Sequence, residues 1–153
     1  MEPTTRAPEA VQIQAPPTPE QQALEQELIL AAEAISDTPG YVAHIGGMFA
    51  RCASRLRGGD RRDGYNDLCQ GIADLDQFVV LFDQIWRVAN PTTVDEASSF
   101  KSDLVDSMRT MELAINSQNT DQLCTEIEAR FLPLLPRWGS VATELLDGLR
   151  ARA

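Results

Sequence analysis

At 153 residues the chain is long enough for one domain with a substantial core, and a hydrophobic fraction of 43% places it among globular sequences. Its formal net charge of −10 argues against the basic footprint that nucleic-acid binding needs and favours basic partners. No apolar run approaches the roughly 18 to 20 residues that cross a bilayer.

The start, Met1-Glu2-Pro3, has neither the basic region nor the apolar core of a signal peptide, so cytoplasmic residence is the expectation. Twelve of the thirteen basic residues are Arg, the usage of a GC-rich bacterial coding sequence. Cys52, Cys69 and Cys124 form no C-x-x-C pair. Each lies on or beside an apolar stripe and is expected to be a small buried hydrophobe with a reduced thiol.

Residues 1–17 hold Pro3, Pro8, Pro16 and Pro17, with only Val11 and Ile13 as large apolar groups. Such a segment cannot bury enough surface to offset its ordering entropy, so a disordered tail is expected before a helical domain over 18–150. Thr18-Pro19-Glu20-Gln21 is a helix start: an N-cap Thr, Pro at the first helical position, and Gln three residues after the cap. Leu24, Leu28, Ala31 and Ile35 mark a stripe that Ser36-Asp37-Thr38-Pro39-Gly40 ought to end. Yet Leu28, Ile35, Val42, Phe49 and Leu56 stay seven apart across that break. The kept register favours one long helix kinked near Pro39, where the bond to the carbonyl of Ile35 is lost. Two helices with a tight break, Thr38 capping the second, are the other solution.

Gly58-Gly59-Asp60 is a turn into the central helix. There Tyr65, Leu68, Ile72, Leu75, Val79, Phe82, Trp86 and Ala89 form a heptad seam, and Phe78, Leu81, Ile85 and Val88 add a second row. A helix apolar on two adjacent stripes must be covered by more than one neighbour. Asn90-Pro91 stops it.

The next helix begins between Thr93 and Ser98, with acidic Asp95 and Glu96 suited to its N-terminus, and carries Phe100, Leu104, Met108, Met111 and Ile115. Ser117-Gln118-Asn119 is a turn, and Thr120 can cap a last helix that buries Leu123, Ile127, Phe131, Leu134, Trp138, Val141, Leu145 and Leu149. Pro133 and Pro136 interrupt that stripe without ending it. Leu56, the turn and Leu68-Cys69 in the first half parallel Leu113, the turn and Leu123-Cys124 in the second. The expected fold is all-α: an elongated antiparallel four-helix bundle of two helical hairpins, with proline kinks near 36–40 and 133–136. Within Glu128-Ala-Arg-Phe-Leu-Pro-Leu-Leu-Pro-Arg-Trp138, the residues Glu128, Phe131, Pro133, Leu135 and Trp138 fit a Glu-x-x-apolar-x-Pro-x-Leu-x-x-Trp pattern. In this the chain resembles the C-terminal part of a bacterial family of tandem helical hairpins, a family that often has an acidic residue where Arg130 stands. The resemblance implies the fold and supplies no activity.

His44 is the only histidine, so any Ser-His-Asp or Cys-His scheme must pass through it. One alternative is a histidine phosphotransfer domain, also an acidic four-helix bundle, with small residues beside the histidine. Here Ile45-Gly46-Gly47 follow it, but the cation expected three residues on is Gly47. The bland reading is a partly exposed helix histidine beside two glycines that permit close helix packing. Arg51, Arg55, Arg57, Arg61 and Arg62 cluster at the first hairpin tip. Arg51, Arg55, Arg61 and Arg62 are the candidate binding residues for a phosphate or an acidic peptide. Their bland reading is cations at a helix C-terminus with Asp60 and Asp63 as salt-bridge partners. The carboxylates scatter over solvated faces, which gives general acid–base work no support and no phosphate-like row to mimic a nucleic acid. Trp86, Trp138, Met108 and Met111 are at core spacing.

No nucleophile–base pair, metal set or cofactor loop stands out, while the long helices carry surplus apolar rows. The expectation is therefore a non-enzymatic interaction protein without cofactor: an adaptor, assembly factor or export-type chaperone. It would bind a protein partner, or a second copy of itself, through an apolar helix groove. Phosphotransfer through His44 is the alternative.

Overall fold

A computed structural model of the chain describes residues 15–90 and 95–152. Every regular element among them is helical, and no strand occurs. Helix α1 spans Pro19–Arg57, α2 Arg61–Ala89 and α3 Asp95–Asn116. Helix α4 opens as Thr120–Glu126 and continues through two irregular turns into Trp138–Arg152. The expected all-α bundle of two hairpins is the observed fold. The expected tail, up to position 14, and the loop and cap expectations at 91–94 lie outside the described residues.

Helix α1 begins with a reciprocal cap: the Gln21 amide donates to Thr18 Oγ1 at 3.1 Å, and the Thr18 amide donates to Gln21 Oε1 at 2.9 Å. It then runs 39 residues without interruption, about 58 Å at 1.5 Å per residue. Proline at position 39 has no N–H for the Ile35 carbonyl. The Thr38 hydroxyl donates to that carbonyl instead, at 2.5 Å. Thr38 thus lies inside the helix and does not cap a second one.

Gly59, at φ +88°, makes the first hairpin turn, a conformation open to glycine at no steric cost. Asp60 caps α2 by accepting from the Asp63 amide at 3.2 Å. Asn90, left-handed at φ 43°, ends α2 with its amide on the Trp86 carbonyl at 2.8 Å. In the second turn Gln118 takes φ 57°. The cap of α4 is Asn119, which accepts from the Gln122 amide at 3.0 Å, and not Thr120. Thr120 Oγ1 instead meets the Tyr65 hydroxyl at 3.1 Å. Both hairpin turns therefore lie at one end of the bundle.

Leu123, Ile127 and Phe131 are spaced four and four, which on an ideal helix drifts by about 40° per step. A π-helical turn, Ile127–Phe131, takes up the drift, and Ile127 and Phe131 are both fully enclosed. Leu132 then donates to the Ile127 carbonyl, five residues back. Pro136 cannot serve the Leu132 carbonyl, so the Leu135 amide takes it, leading into a 3₁₀ turn over Leu135–Arg137. All eight residues expected to be buried on α4 are buried.

The core has two levels. Near the turns, the Phe49 and Phe131 rings pack with centroids 4.5 Å apart. At the proline level Trp138 sits edge-on to Phe78 at 4.9 Å and to Phe82 at 5.3 Å, with Phe100 stacked on Phe82. Helices α1 and α2 approach closely because Gly64 and Gly71 face α1. A Cβ at Gly71 would lie 2.9 Å from Phe49 Cε2, and one at Gly64 would lie 2.7 Å from Leu56 Cδ2. Of Gly46-Gly47, only Gly46 permits a close approach, and to α4, not α2. A Cβ at Gly46 would touch only Leu135, at 3.1 Å, and one at Gly47 would meet nothing within 4 Å.

The core line of α2 runs between its two expected rows, through Leu68, Leu75, Phe78, Phe82, Ile85 and Ala89. Tyr65, Ile72, Val79 and Trp86 are half-buried along one flank. Cys69 is exposed, contrary to expectation, because it sits one residue (about 100° of turn) beyond the core position Leu68. Leu113 is likewise 61% exposed, so the match of Leu56 with Leu113 does not extend to burial.

Candidate functional site

Helices α2 and α3 meet through side chains at the proline level and make little close backbone contact. The junction is closed by the Phe82–Phe100 stack at 5.9 Å and by Lys101, whose Nζ lies 2.6 Å from Asp83 Oδ1 and over the Trp86 ring. Among the described residues, no hydrogen bond or ion pair joins α2 to α3 on the turn side of that junction. The flank of α2 carrying Ile72 and Val79 there faces Val105, Met108, Met111 and Ile115 of α3 across an apolar groove of about 520 Å³. Leu75 and Met111 are buried in its floor, while Ile72, Val79, Met108 and Ile115 stay partly exposed. Asp76, Glu112 and Arg109 line its edges. Arg109 reaches Asp106 at 3.8 Å, and among the described residues Asp76 and Glu112 have no cationic partner.

A second apolar hollow, about 440 Å³, lies between α1 and α4 over Pro39, Val42, Gly46, Leu135, Pro136 and Ala142. There the two helices are already tied together: Trp138 Nε1 donates to Thr38 Oγ1 at 2.7 Å. A larger space of about 670 Å³ lies beside Ala15, Pro17 and Arg152, at the two ends of the described residues.

His44 projects from the middle of α1, its side chain 58% exposed, with Nε2 3.1 Å from Asp74 Oδ2. Beside it the Tyr41 hydroxyl donates to the Asp74 carbonyl at 2.7 Å. Burial, and then the nearby Asp74 carboxylate, push the Tyr41 hydroxyl pKa above its ordinary value. The charged group bonded to His44 is thus a carboxylate, where a phosphoryl group on the imidazole would need a cation.

The arginines divide. Arg55 donates to Asp67 at 2.9 Å, and the Asp67 side chain is only 11% exposed. Arg57 reaches across to α4, to Asp121 at 2.9 Å and Glu128 at 2.7 Å, and also donates to Thr125. The hydrogen bonds it donates to Glu128 and then to Asp121 hold its guanidinium more firmly charged than usual. Asp60 and Asp63, expected as the ion-pair partners of this cluster, pair with none of its arginines among the described residues: the Asp60 carboxylate accepts the Asp63 amide at the α2 cap, and Arg55 and Arg57 turn to Asp67, Asp121 and Glu128. Arg51, Arg61 and Arg62 are exposed, and Arg51 Nη2 lies 2.7 Å from Met48 Sδ. Of the four candidate binding arginines, Arg55 is tied to Asp67, and none lines the apolar groove or hollow described above.

Arg137 is the most engaged cation, and sequence reasoning did not single it out. It donates to Asp103 at 2.7 Å, Glu96 at 3.3 Å and Ser99 at 3.2 Å, and lies 6.0 Å over the Phe100 ring. The readable signal was Glu96, Ser99, Phe100 and Asp103, which share one side of a helix at i, i+3, i+4 and i+7. Ser107 is also passed over by sequence reasoning: it is buried and donates to Glu126 Oε2 at 2.7 Å, while Arg130 Nε holds the same oxygen at 2.8 Å.

Among the described residues no three His, Cys, Asp or Glu side chains converge as a metal-ligand set, and no helix is long and apolar enough to cross a membrane. Burial pushes the Cys52 thiol up to about 12, with Cys124 and Asp67 adding to it, and burial raises Cys124 too. Comparison of the chain with known protein families, curated proteins and solved structures finds no match.

Proposed function

We propose that this chain is a non-enzymatic interaction module that receives an amphipathic helix of a protein partner, in the manner of an adaptor, assembly factor or export-type chaperone. The observation that carries this reading is the open stretch between α2 and α3. Two helices of one bundle leave Ile72, Val79, Met108 and Ile115 half-exposed across a shared groove. Apolar side chains of a third helix would complete the layer, as helix-in-groove recognition does. A cytoplasmic setting belongs to the same proposal, and the net charge of −10 favours a protein over a nucleic acid as the partner.

The test is affinity capture from the source cell with the intact chain and with a V79Q/M108Q variant of equal thermal stability. The reading expects a defined polypeptide held by the first and lost by the second. Phosphotransfer through His44 is the competing class. An acid-labile phosphoryl group on His44 after incubation with a phosphorylated receiver domain, absent in His44→Gln, would replace the interaction reading. The Asp74 carboxylate at 3.1 Å from Nε2 weighs against that outcome.

A further inference from the structure

Resting on the reading of the α2–α3 groove as a helix-binding site, we infer that the helix it takes is cationic: an amphipathic segment with Lys or Arg flanking its apolar row. The edges of the groove supply the reason. Asp76 on the α2 side and Glu112 on the α3 side are exposed and, among the described residues, unpaired by any cation. The one basic edge residue, Arg109, leans toward Asp106. Both walls therefore present carboxylates just outside an apolar floor, in a chain of net charge −10. An acidic or neutral helix seated there would place its own polar flank against uncompensated negative charge. A cationic one pairs with both edges and is steered in by the surrounding field.

The dimensions set the length of the segment. From Val105 to Ile115 is ten residue steps, about 15 Å of helix, so the groove covers two to three turns of a partner. Apolar anchors at i, i+4 and i+7 would fall on Ile72, Val79, Met108 and Ile115. The Lys101–Asp83 pair and the Phe82–Phe100 stack close the groove at the proline level and stop the partner helix there.

The experiment uses the full chain and a displayed library of helical peptides. Each has a fixed Leu/Ile row at i, i+4 and i+7 and a polar face randomised among Lys, Gln and Glu. The proposal expects enrichment of Lys beside the apolar row. It also expects binding that weakens by about tenfold or more in a D76K/E112K variant and falls as salt is raised. Both of these edge positions are exposed, so that variant keeps its fold, which circular dichroism verifies. Enrichment of Gln or Glu faces, with binding still lost in V79Q/M108Q, would leave the groove reading standing and overturn the cationic partner. Enrichment of no peptide, or binding indifferent to V79Q/M108Q, would remove both. Self-association on sedimentation that V79Q/M108Q abolishes would make a second copy the occupant and equally overturn the cationic partner.

Discussion

Trp138 Nε1 donates to Thr38 Oγ1, and the same hydroxyl donates to the carbonyl of Ile35 that Pro39 cannot serve. The indole at the end of the second proline stretch thus reaches the hydroxyl that repairs the first. This is how α1 passes through a proline in unbroken register, and it locks the two hairpins together in a site that is 1% exposed at Thr38 and 2% at Trp138.

Thr38→Val keeps the shape and removes the hydroxyl, leaving a buried N–H and a buried C=O without partners. It is expected to cost about 2 to 6 kcal/mol in urea denaturation, since each orphaned group forfeits about 1 to 3 kcal/mol. Thr38→Ser keeps the relay and loses one methyl, for about 1 kcal/mol. Equal losses in the two variants would mean that the relay contributes nothing.

The glycines of α1 and α2 should respond in opposite directions to alanine. Gly47→Ala adds a methyl into open space on an exposed helix face and is expected to stabilise by about 1 kcal/mol through helix propensity. Gly71→Ala gains the same propensity but drives a Cβ to 2.9 Å from the Phe49 ring. Overpacking of about 1 to 3 kcal/mol outweighs the gain. Thermal denaturation of the two variants checks the sign of each.

Much of this was legible in advance, and the misses in the core share one cause. Large apolar residues at helical spacing marked the core of α4 through both prolines, and the hydrophobic stripe of α1 through Pro39. The misses fall where the core line is held by small or polar residues. Gly64, Gly71, Ala97, Ser107 and Ala114 occupy core positions, and a pattern built on large side chains passes over them. Such a pattern then promotes neighbours such as Leu113 and Cys69 that face water. The groove was legible only as surplus apolar rows on the central helix. Which row would stay uncovered depends on how closely α2 approaches α1, and hydropathy does not encode that distance. The Arg57 pairings join residues far apart in the chain, so local spacing could not reveal them, and for Arg137 spacing marked only the receiving face of α3, not the cation that reaches it.

The three thiols should separate by reactivity. Cys69 is exposed and is expected to react with a disulfide reagent in the native protein, while Cys52 and Cys124 react only on unfolding. The buried pair also gives stability a pH dependence. With Cys52 raised to about 12 when folded, the unfolded chain loses this proton first, at the ordinary thiol pKa. Its contribution is complete below that value and is lost as pH climbs from about 8.5 toward 12, at up to about 1.4 kcal/mol per pH unit. Urea midpoints between pH 8 and 11, with Cys52→Ala as comparison, measure the slope. No difference in slope would show that the thiol keeps its ordinary acidity.

Arg55 and the other tip arginines should differ in what they support. Arg55→Ala leaves the Asp67 carboxylate, 11% exposed, without its partner and is expected to cost about 1 to 2 kcal/mol. Arg61→Ala and Arg62→Ala should stay within about 0.5 kcal/mol. If the tip holds an anion, inorganic phosphate will raise the melting temperature of the wild type more than that of an R61A/R62A variant.

The glycines that let α2 settle against α1 bear on the next face of the same helix. Gly64 and Gly71 point to α1, and Ile72 and Val79 stand about a quarter turn round from them, so the seat of α2 on α1 fixes where one wall of the cleft stands. Recognition at that cleft is therefore gauged by residues no visitor would touch: bulk added under α2 would displace the wall a visitor meets.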